Sequence, residues 1–278
     1  MIRLYVLGSG SKGNAFALAS EQGTLLIEAG FGPKAFRRRA GQAGLDLSAV
    51  QGIVLTHEHG DHARGGPALS RQLDAPLVCS PGTFRALKHD LTTFVPLQTT
   101  RPTLCGGFSI ASHPTTHDAA QPVAVAIEAE GVRVVFVMDI GRPTTGIRYL
   151  MHGANAVVVE SNYDELMLRT GSYPASVQHR IAGSQGHLSN RMSAELLADL
   201  YHEGLQTVVL AHLSQQCNSK QRARETMEES LRARGFTGDV QVADQDTPLP
   251  VISIGGAPGP DQGELALHSD VGLPAPSG

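Results

Sequence analysis

The sequence predicts an α/β protein in which short strands and helices alternate along most of the chain. Apolar runs rich in Val, Ile and Leu recur between turn residues, which is typical of buried strands. Segments with helical character, several opening with Pro or Gly, lie between those runs. No tandem repeat and no Pro/Ser-rich linker interrupts residues 1–250, so we expect a single domain there.

The first half of the chain is expected to be rich in strands. A strand runs from the N-terminus into the turn at Gly8, and the Glu130-Gly131 pair has the spacing of a hairpin turn. Further strands are predicted at residues 23–28, 52–55, 76–79, 108–112, 123–128 and 132–138. Short helices are predicted at residues 33–43, 65–73 and 81–88.

The second half repeats the alternation. Strands are predicted at residues 156–160 and 207–211, and helices at 189–203 and 219–234. From residue 255 the chain is rich in Gly and Pro and cannot offset its ordering entropy by apolar burial. We therefore expect a domain over residues 1–254 and a flexible tail over 255–278.

Composition narrows the functional classes. Apolar residues make up 41% of the chain, so it can bury a large core, and its formal net charge is −4. That charge argues against a general electrostatic coat for nucleic acid, so any such binding requires a local basic patch.

Cysteine usage and the N-terminus favour a cytoplasmic protein. The three cysteines, Cys79, Cys105 and Cys217, are far apart and form no CxxC pair, which argues against a disulfide framework or a thiolate zinc site. We find neither a signal peptide nor an apolar run of membrane-spanning length. We expect no membrane association and find no sign of an obligate protein partner.

The motif Thr56-His57-Glu58-His59-Gly60-Asp61-His62 directly follows the apolar strand at residues 52–55. Imidazole nitrogens and carboxylate oxygens suit zinc, manganese or iron. The spacing lets His57 and His59 face one ion while Asp61 and His62 face another. Surface histidines on a solvated loop would leave this position at a strand end unexplained.

Two ions require additional ligands, and later strand ends offer them. Asp139 follows the apolar run 132–138, where a buried carboxylate without a partner would be costly. His212 ends the strand at residues 207–211. His113 and His117 both follow the strand at 108–112, and the residues alone do not decide between them.

An HxHxDH motif followed by isolated His, Asp and His residues at strand ends resembles the metallo-β-lactamase fold superfamily, over residues 1 to about 235. This resemblance implies a four-layer αββα sandwich with two divalent metal ions, Mn²⁺ or Zn²⁺, and a bridging hydroxide as the nucleophile. It selects His117 and implies three roles: His57, His59 and His117 hold the first metal, Asp61, His62 and His212 hold the second, and Asp139 bridges them.

Four further segments resemble the WalJ (YycJ) branch of that superfamily, whose members are regarded as nucleases, including 5′-to-3′ exonucleases on DNA. They are the glycine-rich turn Gly8–Asn14, Glu160-Ser161-Asn162, the block 186–190, and Ala211-His212-Leu213-Ser214. The resemblance implies a nucleic acid substrate, with DNA favoured over RNA.

Phosphodiester cleavage expels an alkoxide that a general acid should protonate. His187 is the candidate acid, and Glu160 could hold its imidazole protonated, as the corresponding pair does in RNase Z-like enzymes. With Asp61, these residues form the expected catalytic set. A structural role without catalysis remains the alternative for both residues. In it His187 is only a neighbour of a helix cap, and Glu160 only forms a hydrogen bond with the turn.

Candidate substrate-binding residues are fewer and less specific. Ser9, Ser11 and Asn14 lie in the glycine-rich turn, which could touch a phosphate although it lacks the P-loop pattern, or could be a plain turn. Arg180 precedes His187 by seven residues and could meet a phosphate backbone. The basic run 37–39 is more simply a solvated helix face. Asn218 resembles a position common in the WalJ branch, and capping of the helix that begins there explains it equally well.

Some features depart from related families. Glu28 stands where the superfamily usually has Asp in an Asp-x-Gly motif, a change expected to shift the support of a ligand histidine. The segment between Asp139 and His212 is too short for the inserted domain of the β-CASP nucleases, and no extended arm like that of RNase Z is visible.

Three other functions remain as alternatives. The first is a small-molecule hydrolase of the same fold, such as a cyclic phosphodiesterase, lactonase or thioesterase. The second is a module that keeps the fold without catalysis. A β-lactamase fits least, because a secretory signal is lacking.

Overall fold

The structure is a computed structural model that describes residues 1–87 and 93–255. Two seven-stranded sheets are formed within these residues, and helices cover the outer face of each sheet. The predicted αββα sandwich is therefore confirmed.

The first sheet combines antiparallel and parallel strands. Its strands are β1 (Ile2–Gly8), β2 (Ala15–Ser20), β3 (Gly23–Ile27), β4 (Val50–Val54), β5 (Leu77–Cys79), β6 (Phe94–Pro96) and β14 (Ile252–Ile254). The spatial order is β14-β1-β2-β3-β4-β5-β6. Pairing is antiparallel from β14 to β3 and parallel from β3 to β6.

The second sheet repeats this plan. Its strands are β7 (Thr103–Cys105), β8 (Phe108–Pro114), β9 (Val123–Ala129), β10 (Val132–Val137), β11 (Ala156–Glu160), β12 (Thr207–Ala211) and β13 (Asp239–Val242). Pairing is antiparallel from β7 to β10 and parallel from β10 to β13. In such sheets, ligands bind beyond the carboxyl ends of the parallel strands.

Helices connect the strands, and several begin at a residue whose side chain caps the first turn. They are α1 (Pro33–Gln42), α2 (Gly60–Ala63), α3 (Gly66–Leu73), α4 (Pro81–Ala86), α5 (Thr145–Met151), α6 (Glu165–Thr170), α7 (Ala175–Ile181), α8 (Asn190–Asp199) and α9 (Lys220–Arg232). Ser189 and Ser219 accept hydrogen bonds from the third residue of α8 and α9, which satisfies an amide that the helix leaves free.

Three apolar clusters hold the layers together. The central cluster lies between the sheets, where the rings of Phe16 and Phe136 are 5.7 Å apart. A second cluster packs α5, α8 and α9 on the outer face of the second sheet, and a third packs α1 and α3 on the first sheet. On α9 the buried residues Ala223, Met227 and Leu231 recur every four positions, as an amphipathic helix requires.

The predicted elements differ from the structure mainly at short or weakly patterned segments. Strands β2, β6, β7, β13 and β14 and helices α2, α5, α6 and α7 were not anticipated. Strand β2 is rich in alanine, a poor strand former, and α7 buries no residue, so neither has a clear apolar period. The helix expected at 189–203 ends at Asp199.

Two expectations concern residues beyond the described part of the chain. The helix expected at 81–88 is helical through Ala86, and residue 88 lies outside the described residues. The tail expected at 255–278 also lies outside them, except for Gly255. Strand β14 pairs with β1, so the first sheet extends to Ile254.

Candidate metal centre and active site

Strand ends of both sheets deliver the candidate residues to one edge of the sandwich. His57 follows β4 of the first sheet, whereas Asp139, Glu160 and His212 end or follow β10, β11 and β12 of the second. Asp139 and His212 have φ angles of 51° and 56°, in the left-handed region that non-glycine residues rarely adopt. Such backbone strain is concentrated at functional sites, where surrounding contacts hold it in place.

Three histidines form a first group. His57 Nε2 lies 3.1 Å from His59 Nδ1, and His117 Nε2 lies 3.3 Å from the same atom. Their potential ligand atoms all lie within 4.8 Å of one another. The structure therefore brings together the three residues expected at the first metal.

His113 lies outside this group. Its ring packs against the backbone of α5, where a Cβ added to Gly146 would lie 1.9 Å from His113 Nε2. Of the two histidines that the residues alone left open, the structure thus places His117 beside His57 and His59.

Asp61, His62 and His212 form a second group. Asp61 Oδ2 lies 3.5 Å from His62 Nε2 and 3.4 Å from His212 Nε2. The potential ligand atoms again lie within 4.8 Å of one another. These are the residues expected at the second metal.

Asp139 lies between the two groups. Its Oδ2 is 2.8 Å from His62 Nε2 and 4.0 Å from His57 Nε2, and its Oδ1 is 3.8 Å from His117 Nε2. A carboxylate that contacts histidines of both groups occupies the position required of a bridging ligand.

The buried polar atoms of this cluster fit divalent cations. Asp139 Oδ2 is buried and forms no hydrogen bond, although His62 Nε2 lies 2.8 Å from it. Unpaired buried polar atoms are costly, and a carboxylate is the most costly of them. Five imidazoles and two carboxylates form the donor set that zinc or manganese accepts.

The pKa shifts of Asp139 and His212 indicate that the cluster holds an excess of negative charge. Burial would raise the pKa of the Asp139 carboxyl, but the facing His212 and His62 rings hold it well below its usual range. Burial lowers the pKa of His212, and Asp139 and Asp61 outweigh that effect and raise it to about 9. Bound cations would balance the negative charge of the carboxylates and would displace the protons from the histidines.

His57 differs from His62, His187 and His212, whose pKa values are raised. Burial, reinforced by the neighbouring His62, lowers its pKa well below the ordinary value. Its imidazole is therefore neutral near pH 7, which is the form that coordinates a metal.

Glu160 contacts two histidines through one oxygen. Its Oε1 lies 2.7 Å from His187 Nδ1 and 2.9 Å from His212 Nδ1, and its Oε2 accepts hydrogen bonds from the amides of Ile140 and Leu188. Burial lowers the pKa of His187, but Glu160 and Asp139 together raise it to about 11. The structure thus brings Glu160 and His187 together beside the cluster of histidines and aspartates.

A cavity of about 220 Å³ opens over the cluster. Asp139 and the rings of His59, His117, His187 and His212 form its floor. Its walls include Ser11, Asn162, Tyr173, Arg180, Ile181 and Ser214. Ser11 and Arg180, which the sequence predicts to bind substrate, are therefore at the cavity and exposed.

Ser9 and Asn14 lie elsewhere. Their exposed fractions are 3% and 0%, and their polar atoms bond within the protein rather than facing the cavity. The basic run 37–39 does not line the cavity either. Arg39 is buried and donates to the carbonyls of Leu7 and Asp246.

Several residues of the site escape sequence reasoning. Thr56 Oγ1 donates to Glu28 Oε1 and lies 3.0 Å from His57 Nδ1, and its place at the head of the histidine motif is the signal that could have revealed it. Tyr173 and Asn162 line the cavity, and Tyr173 follows a short exposed helix that carries no sequence signal. Asn218, left out of catalysis, exchanges hydrogen bonds with Asn190, and the cap of α9 is Ser219 rather than Asn218.

Family and structural comparisons agree with this geometry. Residues 24–213 match the family described as the β-lactamase superfamily domain. The chain belongs to that superfamily. It is 34% identical over 263 residues to the exodeoxyribonuclease YycJ of Bacillus anthracis, an alignment that covers 88% of this chain and 96% of the relative.

Two further similar proteins share fewer residues with this chain. The chain is 28% identical over 260 residues to the exodeoxyribonuclease WalJ of Streptococcus pneumoniae, covering 90% of this chain and 97% of that protein. The metallo-β-lactamase fold protein YhfI of Bacillus subtilis superposes with a TM-score of 0.67 at 17% identity, over 90% and 99% of the two chains.

Like other β-lactamase superfamily hydrolases, the chain is a metal-dependent hydrolase that uses divalent metal. Among the described residues, no helix has the length and apolar character needed to cross a membrane.

Proposed function

We propose that this protein is a phosphodiesterase with two divalent metal ions, Mn²⁺ or Zn²⁺, and acts as a 5′-to-3′ exonuclease on DNA. The contact of Asp139 with both histidine groups, beside the Glu160–His187 pair, carries the proposal. His57, His59 and His117 would hold one ion, and Asp61, His62 and His212 the other, with Asp139 shared between them.

Two divalent cations held by these residues would lower the pKa of a water molecule towards neutrality and stabilise charge on the phosphate. The protein's own groups complete the reaction. Asp61 is the more exposed carboxylate of the cluster, with 24% of its side chain accessible, and can accept a hydrogen bond from the attacking water. Asp139 is buried and would be shared between the two ions instead.

His187 is the proposed general acid. Glu160 Oε1 accepts the hydrogen bond from Nδ1 and keeps the imidazole protonated, which leaves Nε2 free to give its proton to the departing alkoxide. The side chain of His187 is 22% exposed and lines the cavity floor, so a substrate can reach it.

Basic residues near the cavity support a polyanionic substrate despite the net charge of −4. Arg180 lines the cavity, Lys12 follows Ser11, and the Arg64 guanidinium lies over Gly60, with Arg64 Nη2 3.7 Å from a Cβ added there. None of the three forms an ion pair with another described residue. By contrast, each Lys and Arg of α8 and α9 is paired with a carboxylate.

The choice of DNA rests on the relatives, two of which are named exodeoxyribonucleases. The cavity, of about 220 Å³, admits one terminal nucleotide better than the middle of a duplex, which favours cleavage from an end. A small-molecule phosphodiester would also fit that volume and is the competing outcome of the test.

The test is cleavage of 5′- and 3′-labelled single- and double-stranded DNA and RNA by protein that has been stripped of metal and reloaded with Mn²⁺ or Zn²⁺. We expect metal-dependent release of nucleotides from the 5′ end of DNA, lost in Asp61→Ala and His117→Ala. His113→Ala is the matched control, because it removes a histidine four residues away that lies outside the cluster. Cleavage of bis(p-nitrophenyl) phosphate without degradation of any polymer would replace the nuclease with a small-molecule hydrolase.

A further inference from the structure

The side chains of Ser9 and Asn14 connect the backbones of two proposed metal ligands. His212 N donates to Ser9 Oγ at 2.8 Å, Ser9 Oγ donates to Asn14 Oδ1 at 2.7 Å, and Asn14 Nδ2 donates to Asp61 O at 3.2 Å. These three bonds form a continuous path from His212 to Asp61.

Both side chains make all their contacts within the protein, and Asn14 Nδ2 also lies 3.2 Å from His62 Nε2. Asn14 Oδ1 also accepts from Gly10 N at 3.0 Å, so its two lone pairs are used, and Asn14 N makes a second bond to Asp61 O at 2.8 Å. With exposed fractions of 0% and 3%, Asn14 and Ser9 present no polar atom to a substrate.

The path joins the two halves of the sandwich at the edge where the metal cluster lies. Asp61 belongs to α2, which follows β4 of the first sheet, and His212 follows β12 of the second. Their side chains face each other, with Asp61 Oδ2 3.4 Å from His212 Nε2. The left-handed backbone of His212 is held in place partly by the bond from its amide to Ser9.

We propose that Ser9 and Asn14 are positioning residues for the metal site formed by Asp61, His62 and His212, and that they set the separation of ligands contributed by different sheets. This inference rests on the proposed two-metal centre. It assigns the glycine-rich turn a structural task at its buried positions and leaves substrate contact to the exposed Ser11.

The test measures metal binding rather than turnover. Metal-free wild-type, Ser9→Ala and Asn14→Ala proteins are titrated with Mn²⁺, and the bound ions are counted by mass spectrometry while electron paramagnetic resonance reports the coupled Mn²⁺ pair. We expect two ions in the wild type. In both variants the second ion should bind about 10–100-fold more weakly, with loss of the coupled signal, while the first binds unchanged.

Ser70→Ala is the matched control, because Ser70 is, like Ser9, a buried serine with a hydrogen-bonded hydroxyl. Its hydroxyl donates to the carbonyl of Ala75 at 2.6 Å, in α3 and away from the cluster. Circular dichroism of the metal-free proteins checks the fold. If Asn14→Ala does not fold, the result for Ser9→Ala, which is the smaller change, decides the test. Two ions bound with wild-type affinity in Ser9→Ala, or an equal loss in Ser70→Ala, would overturn the positioning role alone. Fewer than two ions in the wild type would overturn the two-metal centre as well.

Discussion

The hydroxyl of Thr56 donates a hydrogen bond to the carboxylate of Glu28, and both side chains are buried beneath the proposed metal site. Thr56 Oγ1 also lies 3.0 Å from His57 Nδ1, and Glu28 Oε1 lies 3.4 Å from His62 Nδ1. One carboxylate therefore supports a histidine of each proposed metal site, directly in one case and through a hydroxyl in the other. The added methylene of Glu28, compared with the usual Asp, provides this reach from a backbone at φ 62°.

Shortening that side chain should weaken both metal sites. In Glu28→Asp the carboxylate withdraws by about one carbon–carbon bond, so it cannot keep its contacts with Thr56 and His62 together. Loss of such an outer contact typically costs about 10–100-fold in metal affinity, and we expect a fall of that size for both ions. Competition titration with a chelator measures it.

Thr56→Ser is the control for this prediction, because it keeps the hydroxyl that links Glu28 to His57. Its affinities should stay close to those of the wild type. Wild-type affinity for both ions in Glu28→Asp would show that the longer side chain is dispensable.

His187→Gln should separate proton donation from metal binding. We expect kcat on DNA to fall by about 10²–10⁴-fold, the usual contribution of a general acid, with both ions retained. Bis(p-nitrophenyl) phosphate should be affected much less, since p-nitrophenolate leaves without a proton. Steady-state kinetics on the two substrates, with metal content measured in parallel, provide the comparison.

The exposed His179 on α7 supplies the control, and His179→Gln should leave both substrates unaffected. An equal loss on both substrates would contradict the acid role and indicate that His187 supports the metal cluster instead.

The buried parts of this fold were accessible from the sequence. Strands β11 and β12 are valine-rich runs buried at every position, so an apolar run followed by a polar residue located Glu160 and His212 at strand ends. The proposed ligands in the histidine motif were also accessible, because they are adjacent in the chain. Asp139 was inferred because an unpaired carboxylate after such a run would be costly.

Contacts between distant segments were not accessible. Nothing in the glycine-rich turn indicates that Ser9 bonds the amide of a residue 203 positions away. Helices α6 and α7, which flank the cavity-lining Tyr173, were missed for a different reason. Helix α7 buries no side chain and α6 buries only Leu168, so hydrophobic periodicity cannot detect them.

Arg180→Gln should weaken binding of DNA without changing the chemical step. Arg180 is exposed at the cavity wall and has no carboxylate partner among the described residues, so a phosphate is its natural counterion. We expect KM for DNA to rise and the slope of log affinity against log salt to decrease by about 1, while kcat on bis(p-nitrophenyl) phosphate is unchanged. Fluorescence anisotropy across a salt series measures the slope.

Arg169→Gln is matched to it, because Arg169 is exposed on the neighbouring helix α6, does not line the cavity, and forms no ion pair within the described residues. An identical change in both variants would mean that only the overall charge matters.

Gly30→Ala tests the close packing of Gly30 between the glycine-rich turn Gly8–Asn14 and the histidine motif at residues 56–62. A Cβ at Gly30 would lie 1.8 Å from Asp61 O and 2.7 Å from Asn14 N, which are both backbone atoms. The segment that carries Gly30 must therefore move away from the turn that carries Asn14 and from the motif that carries Asp61. Gly30 N also donates to Asn14 O at 2.9 Å, which ties the same segments together. We expect the free energy of unfolding to fall by about 1–3 kcal/mol or more, as in overpacked cores, and the second metal ion to bind more weakly.

Urea denaturation of the metal-free protein and Mn²⁺ titration separate the two effects. Gly41→Ala is the control, since a Cβ there meets no atom within 4 Å and its position in α1 favours alanine. It should be neutral or slightly stabilising. If Gly30→Ala lost stability but bound both ions normally, the turn could move away without disturbing Asp61, and the close approach would serve the fold rather than the metal centre.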